Sequence, residues 1–147
     1  MLQNRLRGPS TARGEDDQGF TLIELLVVVV IIGILIAIAL PLYLNFENGS
    51  KNSSAETDVH NAVVVVNQCE SDNGGLVPAI PDHNGEQGQT LVFHCPDTEL
   101  LKATVSTGNT LTYAVASDGF NYTVAGTNVD GGKTYTYDSA TGQITTS

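Results

Sequence analysis

Four sets of residues have types and spacings that could do chemistry. Glu24 is a lone carboxylate at the start of a long aliphatic run. An ionisable group inside a membrane-length segment is costly and marks a functional position. Cys69 and Cys95 are the two cysteines. They could close a disulfide, or Cys95 could join His94 and either His83 or His60 around a metal, although no pair has C-x₂-C spacing. The string from Gly126 to Thr134, GTNVDGGKT, looks like a phosphate-binding loop, but one residue too many separates Gly126 from Gly132. No helical pattern follows it to hold a phosphate at a helix N-terminus, and Asp130-Gly131-Gly132 reads better as a turn. Asp118, Asp130 and Asp138 lie in turn-like stretches that could offer oxygen ligands to Ca²⁺, without the spacing of an EF-hand.

The elements that must position these groups come from a divided chain. Its 147 residues suffice for one domain. The net charge of −10 argues against nucleic-acid binding through a basic face. Residues 1–19 hold Arg5, Arg7 and Arg13 against Glu15, Asp16 and Asp17, so the whole negative charge belongs to residues 20–147. Two cysteines are too few for a disulfide-dense scaffold.

Residues 1–19 are polar and lack an apolar period, as in a leader. The apolar run follows this polar stretch, so either the run stays in the membrane or cleavage falls on its N-terminal side. Residues 20–44 are aliphatic apart from Phe20, Thr21, Glu24, Gly33, Pro41 and Tyr43. As a helix they extend about 37 Å, enough to cross a hydrocarbon core of about 30 Å. The arginines precede this span, which puts the leader in the cytoplasm and the acidic body outside. Pro41 lacks an amide hydrogen and is expected to kink or open the helix, with Gly49 a second soft spot. Beyond it Ala55, Val59, Ala62, Val63, Val66 and Cys69 keep one helical face, while Glu56, Asp58, Asn61, Asn67 and Glu70 read as the solvent face.

Asp72-Asn73-Gly74-Gly75 ends the helix, and residues 76–97 read as a loop with one short strand at Leu91-Val92-Phe93. Segments 102–106, 110–116, 121–125, 133–137 and 143–146 read as strands of an antiparallel meander. One face of this meander is expected to cover the amphipathic half of the helix. Tyr113, Tyr122, Tyr135 and Tyr137 read as cross-strand pairs. Three Asn-x-Ser/Thr sequons, at Asn48, Asn52 and Asn121, are close to chance in such a composition. A Cys69–Cys95 disulfide would lie outside the membrane, where oxidation is permitted, and would fasten the loop to the helix end.

Glu24 keeps two readings. If the chain is cut after Gly19, the new amine of Phe20 supplies a cation that could pair with Glu24 of the same helix or of a neighbouring molecule. Alternatively, Thr21-Leu22-Ile23-Glu24 is a capping box, with Glu24 serving the helix N-terminus.

The string Gly19-Phe20-Thr21-Leu22-Ile23-Glu24, with the aliphatic run and Pro41 behind it, resembles the N-terminus of the class III signal peptide proteins, the type IV pilin family. The resemblance covers the stretch from Gly19 to Asn45. It implies cleavage between Gly19 and Phe20 by a prepilin peptidase that also methylates the Phe20 amine. It further implies roles in assembly for Thr21, Leu22, Ile23 and Glu24, and a helix-disrupting role for Pro41. The implied subunit is lollipop-shaped, sits in the membrane before assembly, and is built into a helical homo-oligomeric filament by a cytoplasmic ATPase and an inner-membrane platform. The acidic Glu15-Asp16-Asp17 beside the cleavage site departs from the family pattern.

The expectation is an α+β chain: a leader (1–19), an apolar assembly helix (20–44), its amphipathic continuation (45–70) and a β-rich head of about four antiparallel strands (71–147). It is read as a structural filament subunit at the cell surface, without cofactor, metal or catalysis. Alternatives are a pseudopilin of a secretion or DNA-uptake machine, a minor adhesive pilin, and a single-pass anchored binding protein.

Overall fold

The computed structural model describes residues 20–79, 81, 88–95 and 100–147. The leader, Gly19 and His83 lie outside the described residues. Helix α1 spans Leu22–Asp72 and is followed by β1 (Leu91–Phe93), β2 (Leu101–Ala103), β3 (Asn109–Val115), β4 (Tyr122–Asn128), β5 (Thr134–Asp138) and β6 (Gln143–Thr146). By internal contacts the chain divides between Ala39 and Leu40. N-terminal of that division, the apolar side chains of α1 are exposed along its length.

Two local devices bound α1. At its start Thr21 and Glu24 bond reciprocally, as described below. At its end the Gly75 amide donates to the Glu70 carbonyl at 2.9 Å, and Gly74 takes the left-handed conformation at φ 67°. This closure satisfies a carbonyl left open by the last turn, and only a residue without a Cβ adopts it freely. α1 is not opened at Pro41 or at Gly49; both lie inside one uninterrupted helix. Neither residue ends the helix. A missing amide removes one bond of the ladder, while the neighbouring turns keep theirs.

From Leu40 onward, the second half of α1 packs against a four-stranded antiparallel sheet in the order β3-β4-β5-β6. β1 and β2 form a separate two-stranded antiparallel sheet, with Val92 opposite Lys102. The segment expected to open the meander at 102–106 therefore pairs elsewhere. Its strand is short and finds its partner in Leu91–Phe93, two residues before Cys95.

The core gathers Ala55, Val59, Ala62 and Val66 of α1 with Leu111, Tyr113, Tyr122 and Val124 of β3 and β4. Each fully buried aliphatic side chain contributes about 1.5–3 kcal/mol before entropy is counted. Period-two alternation in β4 sends Tyr122, Val124, Gly126 and Asn128 inward. The tyrosines pair across strands, diagonally rather than directly opposite one another. Val124 sits opposite both Tyr113 and Tyr137, and Tyr122 sits opposite Val115. Tyr122 stacks diagonally on Tyr113 and Tyr137, with ring centroids 5.7 Å and 5.8 Å apart. Phe93 meets Tyr113 edge-on at 5.2 Å.

Gly126 lies directly against the helix. A Cβ there would lie 2.5 Å from Val59 Cγ2, 2.9 Å from Leu111 Cδ2 and 3.1 Å from the Ala55 carbonyl oxygen. Gly126→Ala is expected to lower stability by about 1–3 kcal/mol through overpacking, measured by urea unfolding in detergent. An unchanged midpoint would mean that the helix does not press on β4 at this position.

Candidate functional site

The N-terminal site begins with Phe20, 81% exposed ahead of the first turn of α1. Thr21 precedes the helix as its cap. The Thr21 amide and hydroxyl each donate to Glu24 Oε2 at 2.8 Å, and the Glu24 amide donates to Thr21 Oγ1 at 3.3 Å. This is a capping box: the hydroxyl and the carboxylate satisfy donors that have no partner within the helix, and the carboxylate lies at the favourable end of the helix dipole. Both contacts converge on Oε2. Among the described residues no hydrogen bond reaches Oε1. Phe20, Ile23, Glu24, Val27 and Val28 line a shallow apolar groove at this end. Leu22 and Ile23 are exposed on the helix surface, and Pro41 lies far along the same helix.

Cys69 and Cys95 are joined in a disulfide, with Cα atoms 5.5 Å apart. The bond ties the end of α1 to the residues that follow β1. Closing a loop of 26 positions contributes roughly 3 kcal/mol by chain entropy. Cys95 is thereby withdrawn from the His94 metal alternative. Among the described residues no group of histidine, cysteine, aspartate and glutamate is arranged to hold a metal. Asp118 instead accepts from the amides of Phe120 and Asn121 at 2.9 Å and 3.0 Å, and from Asn121 Nδ2 at 2.6 Å. These bonds, the Asn121 amide foremost, hold its carboxyl below the usual range. Asp138 accepts the Ala140 amide at 2.9 Å, and Asp130 pairs with Lys51 at 3.3 Å. Gly126 and Thr134 belong to β4 and β5 of one antiparallel hairpin.

The sequence reading missed a polar cluster between α1 and the sheet. Asp58, assigned above to the solvent face, is only 3% exposed. Its carboxylate accepts from the Ser106 amide at 2.7 Å, the Ser106 hydroxyl at 2.9 Å and Asn109 Nδ2 at 2.6 Å. Asn109 Nδ2 also donates to Ser54 Oγ at 3.0 Å, and Asn128 Nδ2 donates to Asn109 Oδ1 at 2.6 Å. Helical arithmetic held the signal. Asp58 lies three residues after Ala55 and four before Ala62, so it shares their face. The sequon residue Asn52 is buried in the same region, where its Oδ1 accepts from the Lys133 amide at 3.3 Å.

Residues 16–40 match the family model "Prokaryotic N-terminal methylation motif". The chain is 34% identical over 101 residues to the "Type IV major fimbrial protein FimA" of Dichelobacter nodosus, covering 69% of this chain and 65% of that protein. It is 56% identical over 43 residues to the "Type IV major pilin protein PilA" of Myxococcus xanthus (strain DK1622), covering 29% of this chain and 20% of that protein. The chain thus spans less than two thirds of either relative. No solved structure matches it.

Two measurements test the cluster and the tyrosines. Asp58→Ala leaves three donors without their acceptor and is expected to cost about 2–4 kcal/mol, with Asp58→Asn costing less. Equal stability of Asp58→Ala and the parent chain in urea would show that water replaces the carboxylate. Burial pushes the Tyr113 and Tyr122 hydroxyls up, aided by Glu70 for Tyr113 and by Tyr137 and Glu70 for Tyr122. The folded state therefore holds these protons more tightly than the unfolded state. The stabilisation is complete below the ordinary tyrosine value of about 10 and is lost as pH rises above it. Phenolate absorbance from these two residues is expected to appear together with alkaline unfolding. Titration of every tyrosine near pH 10 with the fold intact would contradict their burial.

Proposed function

We propose, from the premise that the chain is type IV pilin-like, with a prokaryotic N-terminal methylation motif on an apolar N-terminal helix, that it is the structural subunit of an extracellular type IV pilus filament. The observation that carries this reading is the methylation motif over residues 16–40, with Glu24 as the carboxylate inside its apolar run. The two relatives are named as a major pilin and a major fimbrial protein, which supports a major subunit over a minor one.

In this reading residues 1–19 are the leader, and a prepilin peptidase cuts between Gly19 and Phe20 and methylates the new amine. Residues 20–44 hold the precursor in the cytoplasmic membrane, with the later residues outside. A cytoplasmic ATPase and an inner-membrane platform then move the subunit into the filament, where residues 22–40 form its core. The step needs no catalysis by this chain.

Glu24 is the residue that makes the transfer selective. A carboxylate among lipid tails favours any arrangement that brings it a cation. The described span offers no lysine, arginine or histidine. The amine of a cleaved Phe20 in a neighbouring subunit supplies one, and methylation keeps its charge. Thr21 holds Oε2, which leaves Oε1 as the oxygen for that amine. Registry between subunits then follows from neutralising the charge. Pro41, one hydrogen bond short, is the place where the helix gives way during packing.

Shearing the cells, pelleting the filaments and weighing the released subunit tests the reading. The expected subunit begins at a methylated Phe20 and is abundant in the pellet. A full-length product left in the membrane would favour the anchored protein, and a processed chain absent from the pellet would favour the pseudopilin. Glu24→Ala is expected to be cleaved normally and to lower filament yield at least tenfold; normal yield would remove the charge-pairing account.

A further inference from the structure

β4 runs down α1, and its contacts measure the descent. Tyr122 donates its hydroxyl to Asn67 at 2.6 Å. Gly126 lies against Val59 and Ala55, and Gly131 against Asn52. Asp130 meets Lys51 at 3.3 Å. The β4–β5 turn is therefore the end of the sheet that packs on the earliest turns of the buried half of α1, around Lys51 and Asn52.

The apolar run gives this end a position. The run ends at Leu44, ahead of Asn45, so the outer edge of the hydrocarbon core falls at Leu44. Tyr43 and Phe46 flank that edge, both largely exposed, as aromatic side chains at a membrane interface do. Lys51 lies about 10 Å further along α1. Its ammonium reaches back one turn to Glu47 at 2.9 Å while holding Asp130. Asp130 thus falls about 5 Å beyond the hydrocarbon edge, inside a headgroup layer of about 5–7 Å.

Charge and polarity at this end fit that level. Residues 20–147 carry all of the net charge, and Lys51, Lys102 and Lys133 are their lysines. Two of the three sit here, where Glu47, Asp130, Lys51 and Lys133 cancel. Val129 is 59% exposed at the turn, and Lys133 is exposed beside it. Asn45, Phe46, Gly49 and Ser50 line a neutral groove on the adjoining helix.

We propose that the β4–β5 turn is a membrane-surface contact of the precursor: Val129 enters the phospholipid headgroup layer, and Lys133 faces the lipid phosphates. The occupant is the bilayer that already holds the apolar run, so the contact continues that interface. An otherwise acidic surface is repelled by anionic lipid, and this end is the one that can approach it. The contact would fix the height and rotation of the folded part on the membrane before assembly, and it would have to break on transfer to a filament. The inference rests on reading residues 20–44 as a membrane span.

The chain contains no tryptophan, so single-tryptophan variants report cleanly. Full-length Val129→Trp, Phe46→Trp and Phe120→Trp are each reconstituted in phosphatidylethanolamine–phosphatidylglycerol vesicles, with lipid brominated high on the acyl chain as quencher. Phe120 is an exposed side chain at the β3–β4 turn, the far end of β4. The expected result is blue-shifted emission and at least twofold quenching for Phe46→Trp and Val129→Trp, and neither for Phe120→Trp. Val129→Trp behaving like Phe120→Trp while Phe46→Trp is quenched overturns the contact and leaves the span standing. An unquenched Phe46→Trp overturns both. A blue shift at Val129→Trp that follows protein concentration and ignores brominated lipid assigns the turn to a contact between copies, and also overturns the proposal.

Discussion

A backbone amide that leaves water must find another partner, and α1 meets this demand in two different solvents. Over its first half the side chains are aliphatic and exposed, and the helix alone satisfies the peptide groups. Over its second half one face is buried by a sheet and the other faces water. The same 51-residue ladder serves both. Any residue that breaks it in the apolar half strands a carbonyl where no water can reach. This constraint explains why the polar exceptions there are so few, and why each carries weight. Glu24 sits at the one position in the apolar half where a carboxylate also satisfies the helix, its first turn.

The packed half depends on small and polar residues as much as on apolar ones. Gly126 lets β4 touch α1, because any larger residue would strike Val59 and Leu111. The Asp58 carboxylate then binds the loop before β3 through Ser106 and the strand itself through Asn109. A buried carboxylate without a cation is tolerable only when donors surround it, and three do. Because those donors come from fixed points on the loop and on β3, Asp58 sets the register of the sheet against the helix. The disulfide acts at the other end of this half, where α1 stops and the chain must return as β1. The register and the return are fixed by separate contacts.

Much of this was legible in the sequence, for physical reasons that differ by region. The aliphatic run announces a helix because no other structure satisfies so many peptide groups in lipid. The face made by Ala55, Val59, Ala62 and Val66 follows from a 3.6-residue period, and the β3–β6 meander from alternation between turn residues. Asp58 was misassigned because residue type outweighed position; charge suggests solvent, while spacing from Ala55 and Ala62 places it inside. β2 pairs with the strand just before it, seven residues away, but each of the two is three residues long and too short to show which neighbour it joins. The diagonal tyrosine stack depends on register, which a strand sequence alone leaves open by two residues in either direction.

The capping box leaves room for the pairing of Glu24 with an amine that the proposed assembly calls for. A carboxylate has two oxygens and about four acceptor sites. Thr21 uses one oxygen, through both its amide and its hydroxyl. Those bonds orient the group without neutralising it, since neither donor carries a full charge. The residual negative charge is then held in one direction at the start of the helix. A flexible glutamate would spend entropy to meet an amine at each subunit contact, whereas one held by Thr21 has already been ordered. In the proposed assembly, the local bond that looks like a structural detail would make the carboxylate a directional acceptor, so that the cap also serves the contact between subunits.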